Sequence, residues 1–156
     1  MIRNPWVLAL PLAAAIFLIS DRASSAQEPT EEVQKLHGRV SSFLEGVSRG
    51  TPQAAYEELL RGSQLITQTE AVEALVQETA RIEENYGQYR EFEQVDARQI
   101  GKDLVLMRYL YKCDNFPVIW YFTFYRTPTR GELADENGLW RVIIVRFDTR
   151  LESLAD

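Results

Sequence analysis

Apolar residues recur at helical spacing through the first half of the chain that follows residue 29. Three segments carry such a stripe, at residues 33–47, 55–60 and 72–86. An apolar position every three or four residues places those side chains on one face of an α-helix. The pattern therefore predicts three helices, each with one face directed towards a core.

The predicted helix ends have residue types that favour them. Thr30 is expected to cap the first helix, and Thr51 the second, with Pro52 at the first helical position where its missing N–H is tolerated. Thr67 and Glu70 have the spacing of a capping box for the third helix. Glycines are expected to end the three helices: Gly50, Gly62 and Gly87.

From residue 89 onwards the helical spacing stops and β-branched and aromatic residues become frequent. The pattern predicts four strands, at residues 89–98, 103–113, 116–126 and 139–148. Short connections at Gly101-Lys102 and Asp114-Asn115, and a longer loop closing at Asn137-Gly138, are typical of hairpins. Three helices followed by an antiparallel four-stranded meander predict an α+β fold.

The third and fourth strands are apolar on both faces. In the third strand one face would carry Val118, Trp120, Phe122 and Phe124, and the other Ile119, Tyr121, Thr123 and Tyr125. Simple alternation in the fourth strand sets Trp140, Val142 and Ile144 against Ile143, Val145 and Phe147. Helices can cover one face only, so we expect a second copy of the chain to cover the other in a homodimer. The alternative is a sheet that curls enough to enclose both sets.

The first 26 residues have the organisation of a secretory signal peptide. Arg3 precedes an apolar run from Trp6 to Ile19, which is shorter than the roughly twenty residues of a membrane-spanning helix. Ser24 and Ala26 provide small side chains before a cleavage site after Ala26. We expect an exported protein, periplasmic or secreted, with a single domain over residues 27–156 and no stable membrane span. An uncleaved anchor is the alternative, and a lipoprotein is disfavoured because no cysteine follows the run.

The charge of the mature chain argues against nucleic acid as a partner. Cleavage removes two arginines and one aspartate, which changes the net charge from −6 to −7. Binding to a phosphate backbone requires a surface rich in lysine and arginine. The single cysteine, Cys113, excludes an intrachain disulfide, so it either joins two subunits or is buried. Burial is favoured because a free cysteine behaves as a small apolar residue.

The order of elements and the strand motifs resemble the nuclear transport factor 2-like superfamily, which includes ketosteroid isomerases and polyketide cyclases. The resemblance lies in the helix ending Glu84-Asn85-Tyr86-Gly87 and in the segments 108–112, 117–122 and 139–148. It implies a curved sheet in a cone-shaped, cystatin-like roll, a pocket between sheet and helices, and frequent dimerisation through the outer sheet face. Because the superfamily contains enzymes, ligand binders and association domains, it does not determine a function.

Motifs for catalysis or metal binding are not recognised in the sequence. One histidine, His37, and one cysteine cannot form a typical zinc site, and His37 is expected at a solvated or core-edge position. An isomerase would need a carboxylate base opposite a donor. Tyrosines that could donate are Tyr109, Tyr111 and Tyr121, but Asp103 and Asp148 fall near strand ends. We therefore assign no catalytic residue, no metal and no cofactor.

The leading functional hypothesis is a non-catalytic domain that binds a small apolar ligand or a protein partner. An aromatic-rich sheet without an acid–base pair favours such a site. The candidate wall residues are Arg108, Tyr109, Trp120 and Phe122. Arg108, Arg141 and Arg146 either hold a carboxylate or extend their stems over apolar surface, the second being favoured. Two alternatives stay open: an isomerase, dehydratase or cyclase, and a purely structural association module.

Overall fold

Helices precede an antiparallel sheet in the computed structural model, which describes residues 30–127 and 140–154. The α-helices are α1 (Glu31–Ser48), α2 (Pro52–Leu59), α3 (Thr69–Ala80) and α4 (Ile82–Tyr86). The strands are β1 (Tyr89–Ile100), β2 (Leu104–Cys113), β3 (Val118–Arg126) and β4 (Trp140–Asp148). Short 3₁₀ turns cover Gln64–Thr67 and Leu151–Leu154. The predicted signal peptide and the loop at Asn137-Gly138 lie outside the described residues.

The first two helices begin as the sequence predicts, with one difference. The Thr30 side chain accepts a hydrogen bond from the Val33 backbone N–H, and Pro52 is the first residue of α2. Thr51 occupies the N-cap position of α2 as predicted, but its side chain makes no capping hydrogen bond, because its hydroxyl donates to the Gly46 carbonyl at 3.0 Å. The Thr51 side chain thus closes the turn after α1.

The third predicted helix has a different start and an interruption. The predicted capping box at Thr67 and Glu70 is wrong, because Thr67 ends a 3₁₀ turn and donates to the Gln64 carbonyl. The helical stretch is then divided at Arg81 into α3 and α4. Gly87 ends α4 with φ of 91°, a region that glycine adopts without a steric penalty.

The four strands form one sheet in the order β1-β2-β3-β4, with every neighbouring pair antiparallel. This confirms the predicted meander and the α+β class. The strand bounds differ from the predicted ones by two residues or fewer over the described residues. Gly101, with φ of 62°, occupies the β1–β2 turn as predicted. None of the helices within residues 30–127 and 140–154 is long and apolar enough to cross a bilayer.

Both edge strands contain β-bulges, whereas the ladder between β2 and β3 is regular. In β1 the extra residues are Arg90 and Val95, and in β4 the extra residue is Ile143. The bulge makes the predicted simple alternation of β4 wrong. Four side chains of β4 are in or against the core, Trp140, Val142, Val145 and Phe147, while Ile143 and Ile144 are exposed.

The helices pack on the inner face of the sheet, and one glycine and one arginine fix their approach. Gly46 of α1 is so close to Ala55 of α2 that a Cβ added at Gly46 would lie 2.8 Å from the Ala55 Cβ. Arg39 of α1 donates to the Leu59 carbonyl at 3.1 Å and to the Trp140 carbonyl at 2.9 Å. Arg39 therefore joins α1, α2 and the edge strand β4.

Candidate functional site

Three of the four predicted wall residues lie together on the inner face of the sheet. Tyr109, Trp120 and Phe122 are almost completely buried. The ring of Phe43 from α1 packs edge-on against Trp120 at 5.2 Å and against Phe122 at 5.6 Å, measured between ring centres. Side chains of the protein itself therefore fill the space beside these rings, and the three residues form part of the core.

The hydroxyl of Tyr109 belongs to a chain of hydrogen bonds that reaches the surface. It donates to the Gln94 side-chain carbonyl at 3.3 Å and lies 2.7 Å from Nδ1 of His37. Nε2 of His37 lies 3.5 Å from the Ser41 hydroxyl. One set of proton positions satisfies all three contacts: Ser41 donates to His37, His37 donates to Tyr109, and Tyr109 donates to Gln94.

The electrostatics of this chain of hydrogen bonds favour a structural role for Tyr109. Burial raises the pKa of Tyr109 well above its usual range, so the phenol stays neutral at physiological pH. A buried hydroxyl requires a partner, and His37 and Gln94 provide two at the solvent-exposed edge. The histidine side chain is exposed, as expected for a core-edge residue, but its bond to Tyr109 was not predicted.

Carboxylates do not occur among the buried side chains of the described residues, where the polar groups that are buried include the hydroxyls of Ser63, Thr79 and Thr123. Asp103 and Asp148, which lie at strand ends, pair with arginines instead. Asp103 lies 4.0 Å from Arg126, and Asp148 lies 3.0 Å from Arg146. Both carboxylates are thus engaged with guanidinium groups, as in ordinary surface ion pairs.

Arg108 lies on the outer face of the sheet, away from the other three wall residues. Adjacent residues of a strand point to opposite faces, so Arg108 and Tyr109 of β2 cannot line one pocket. The Arg108 guanidinium lies 3.2 Å from the Asp96 carboxylate, and Arg108 pairs across the ladder with Tyr121. The Arg146 guanidinium covers the Tyr121 ring at 4.0 Å from its centre.

The outer face combines an apolar centre with charged edges. The central strands β2 and β3 contribute mainly apolar side chains to it: Leu104, Leu106, Leu110, Ile119, Tyr121, Thr123 and Tyr125. The edge strands contribute most of the charged ones: Glu91, Glu93, Asp96, Arg98, Arg141, Arg146 and Asp148. Arg108 and Lys112 are the charged residues of the central strands on this face.

Exposure on the outer face is concentrated towards the end where Arg98 and Arg141 lie. Ile100, Tyr125 and Ile144 are 49 %, 41 % and 46 % exposed, whereas Ile119 is buried. A groove of about 380 Å³ has Ile100 and Ile144 in its lining, together with Leu106 and Thr123, beside Arg98, Arg108 and Arg146. Apolar side chains and arginines therefore occur together on this face.

Metal-binding groups of three or more histidine, cysteine or carboxylate side chains are absent from the described part of the chain. Comparison with protein-family models, with curated proteins and with solved structures gave no match. The resemblance to the nuclear transport factor 2-like superfamily consequently stays a prediction from the sequence.

Proposed function

We propose that this protein is an exported, non-catalytic association module that forms a homodimer through the outer face of its sheet. The observation that carries the proposal is the exposure of Ile100, Tyr125 and Ile144 on a sheet whose other face is already packed against helices. Large apolar side chains that cluster on a surface are typical of interaction sites. The proposal includes the cone-shaped, three-helix architecture that the resemblance to the nuclear transport factor 2-like superfamily implies.

The layout of the face supports a protein partner. Stable interfaces commonly have an apolar centre and a polar rim, which corresponds to the arrangement of β2 and β3 between the charged edge strands. Four strands about 4.8 Å apart and roughly 30 Å long give a flat area of about 600 Å². With side-chain relief this approaches the roughly 800 Å² that each partner contributes to an interface of standard size.

The interior supports association over binding of a ligand inside the cone. The inner wall residues Tyr109, Trp120 and Phe122 are in contact with other side chains of the core rather than with solvent. A ligand among them would have to displace Phe43, which is itself buried and packed against two of the three rings. The outer face needs no such rearrangement.

The proposal is tested by replacing Ile144 with aspartate. In the protein purified after export, we expect Ile144→Asp to shift sedimentation equilibrium from dimer to monomer, because association would have to remove a charged carboxylate from water in place of an apolar side chain. The matched control is Ile66→Asp in the 3₁₀ turn Gln64–Thr67, where the isoleucine is 48 % exposed. A wild-type monomer at micromolar concentration, or equal effects of the two substitutions, would contradict the proposed homodimer.

A further inference from the structure

Charge on the outer face is distributed along the strand direction. One end carries three carboxylates and one lysine: Glu91, Glu93, Asp148 and Lys112. The other end and the middle carry four arginines and one aspartate: Arg98, Arg108, Arg141, Arg146 and Asp96. Both edge strands change from acidic to basic in the same direction across the sheet, so the face has an acidic end and an arginine end.

Two orientations of a two-fold axis are compatible with face-to-face packing of two identical sheets. An axis in the interface plane and parallel to the strands places each end of one sheet over the same end of its partner. An axis in that plane and perpendicular to the strands places each end over the opposite end of its partner. The roughly 30° angle at which packed sheets cross does not change this distinction.

We infer that the two-fold axis of the homodimer runs perpendicular to the strands, so that the acidic end of one protomer covers the arginine end of its partner. This inference rests on the proposed homodimer. The parallel axis would bring acidic ends together and arginine ends together, and like charges that face each other across an interface oppose association. The perpendicular axis instead places each acidic end over an arginine end, and it does so twice because the interface is symmetric.

The positions on β1 identify the residues that should meet. Among the residue pairs on the outer face, Glu93 belongs to the pair next to Asp96–Arg108 on one side. Arg98 belongs to the next pair on the other side. Reversal of the strand direction therefore places Glu93 near the partner's Arg98. On the neighbouring central strand, the same reversal places Leu110 near the partner's Leu106.

The test uses two charge reversals and their mixture. Glu93→Arg and Arg98→Glu are each expected to weaken the homodimer on the order of tenfold in Kd, because each brings like charges together. An equimolar mixture of the two variants is expected to associate more tightly than either alone, because in a heterodimer each substituted side chain faces an opposite charge on the other chain. Native mass spectrometry distinguishes heterodimers by mass, and sedimentation equilibrium measures their Kd.

Control variants carry the same reversals on helices, Glu73→Arg in α3 and Arg49→Glu at the end of α1, and should leave Kd unchanged. Single variants that dimerise as tightly as the wild type or more tightly, or a mixture no tighter than its components, would overturn the perpendicular axis. Both failures are distinguishable from failure of the proposed function. If the proposed function fails, the wild-type protein itself is monomeric, whatever the charge variants do.

Discussion

Individual residues of this protein show how burial decides the behaviour of ionisable groups. Tyr56, Tyr109 and Tyr111 are fully buried, and burial raises the pKa of each phenol. Tyr56 is bonded to Thr79 at 3.1 Å, and Tyr109 to His37 and Gln94, so these two buried hydroxyls have partners. Neutral phenols with local partners are suited to holding a core together rather than to proton transfer.

The cysteine should make the protein sensitive to alkaline pH. Burial raises the pKa of Cys113 to about 11, with further contributions from Glu83 and Asp114, whereas an unfolded thiol has a pKa near 9.0. Between pH 9 and 11 the unfolded chain therefore binds fewer protons than the folded chain, and stability falls as pH rises. The thiol's contribution is complete below pH 9 and is lost as pH passes the folded pKa.

Urea unfolding at intervals between pH 8 and pH 10 measures this effect. The range stops at pH 10 because the tyrosines of the unfolded chain begin to titrate there. We expect Cys113→Ala to have a flatter decline in the free energy of unfolding over this range than the wild type. At pH 7 to 8 the difference in the free energy of unfolding between the variant and the wild type is expected to be constant. It reports the lost packing and serves as the baseline. Parallel pH profiles for the two proteins would show that the thiol is not protected in the folded state.

At the scale of elements, the junction between α1 and α2 depends on a missing side chain. Gly46 is buried and faces Ala55, whereas Gly38 of the same helix has no atom within 4 Å of the position its Cβ would occupy. One helix therefore contains a glycine required by close packing and a glycine that packing does not require.

The same substitution at the two glycines should have opposite effects. Gly38→Ala is expected to stabilise the protein by about 0.5–1 kcal/mol, because alanine has the higher helix propensity. Gly46→Ala is expected to destabilise it by about 1–2 kcal/mol, because the added methyl overlaps Ala55 and the helices must separate. Chemical denaturation of both variants gives the two signs directly. Stabilisation at Gly46 equal to that at Gly38 would show that α1 and α2 are not in close contact there.

The sequence predicted the elements well where local signals determine them. The strand bounds and the two faces of β3 follow from alternation, and Thr30 and Pro52 are local signals for helix starts. The bulge at Ile143 was missed because it depends on pairing between β3 and β4, which are not adjacent in the sequence. Likewise, Thr67 has the spacing of a cap, but the Ser63 side chain instead caps a 3₁₀ turn by accepting from the Leu65 N–H.

Part of the candidate site could also have been predicted. Arg108 and Tyr109 are consecutive in a strand, so alternation alone separates them onto opposite faces. The bond between His37 and Tyr109 joins residues 72 positions apart, and no local pattern indicates it. The signal that pointed towards it was weaker: His37 borders the apolar stripe of α1, and a buried tyrosine requires a partner.

For the whole molecule, the organisation of the chain predicts removal of its first 26 residues. Residues 1–26 have a basic start, an apolar centre and small residues before the proposed cleavage site, whereas the described core begins with Val33. We expect the protein recovered after export to begin at Gln27. Intact-mass measurement and N-terminal sequencing test this, and replacing Ala26 with arginine should retain the uncleaved chain. A mature protein that still begins at Met1 would instead indicate an anchored form.

The bulges at Arg90, Val95 and Ile143 also limit how far assembly can proceed. Each one interrupts the ladder on an outer strand, so neither rim of the sheet offers a long, regular row of hydrogen-bonding groups to a further strand. The bulges therefore oppose growth by strand addition. A face-to-face contact with two-fold symmetry buries the same face of both copies, so assembly stops at the dimer. The sheet thus favours a finite particle over a fibre.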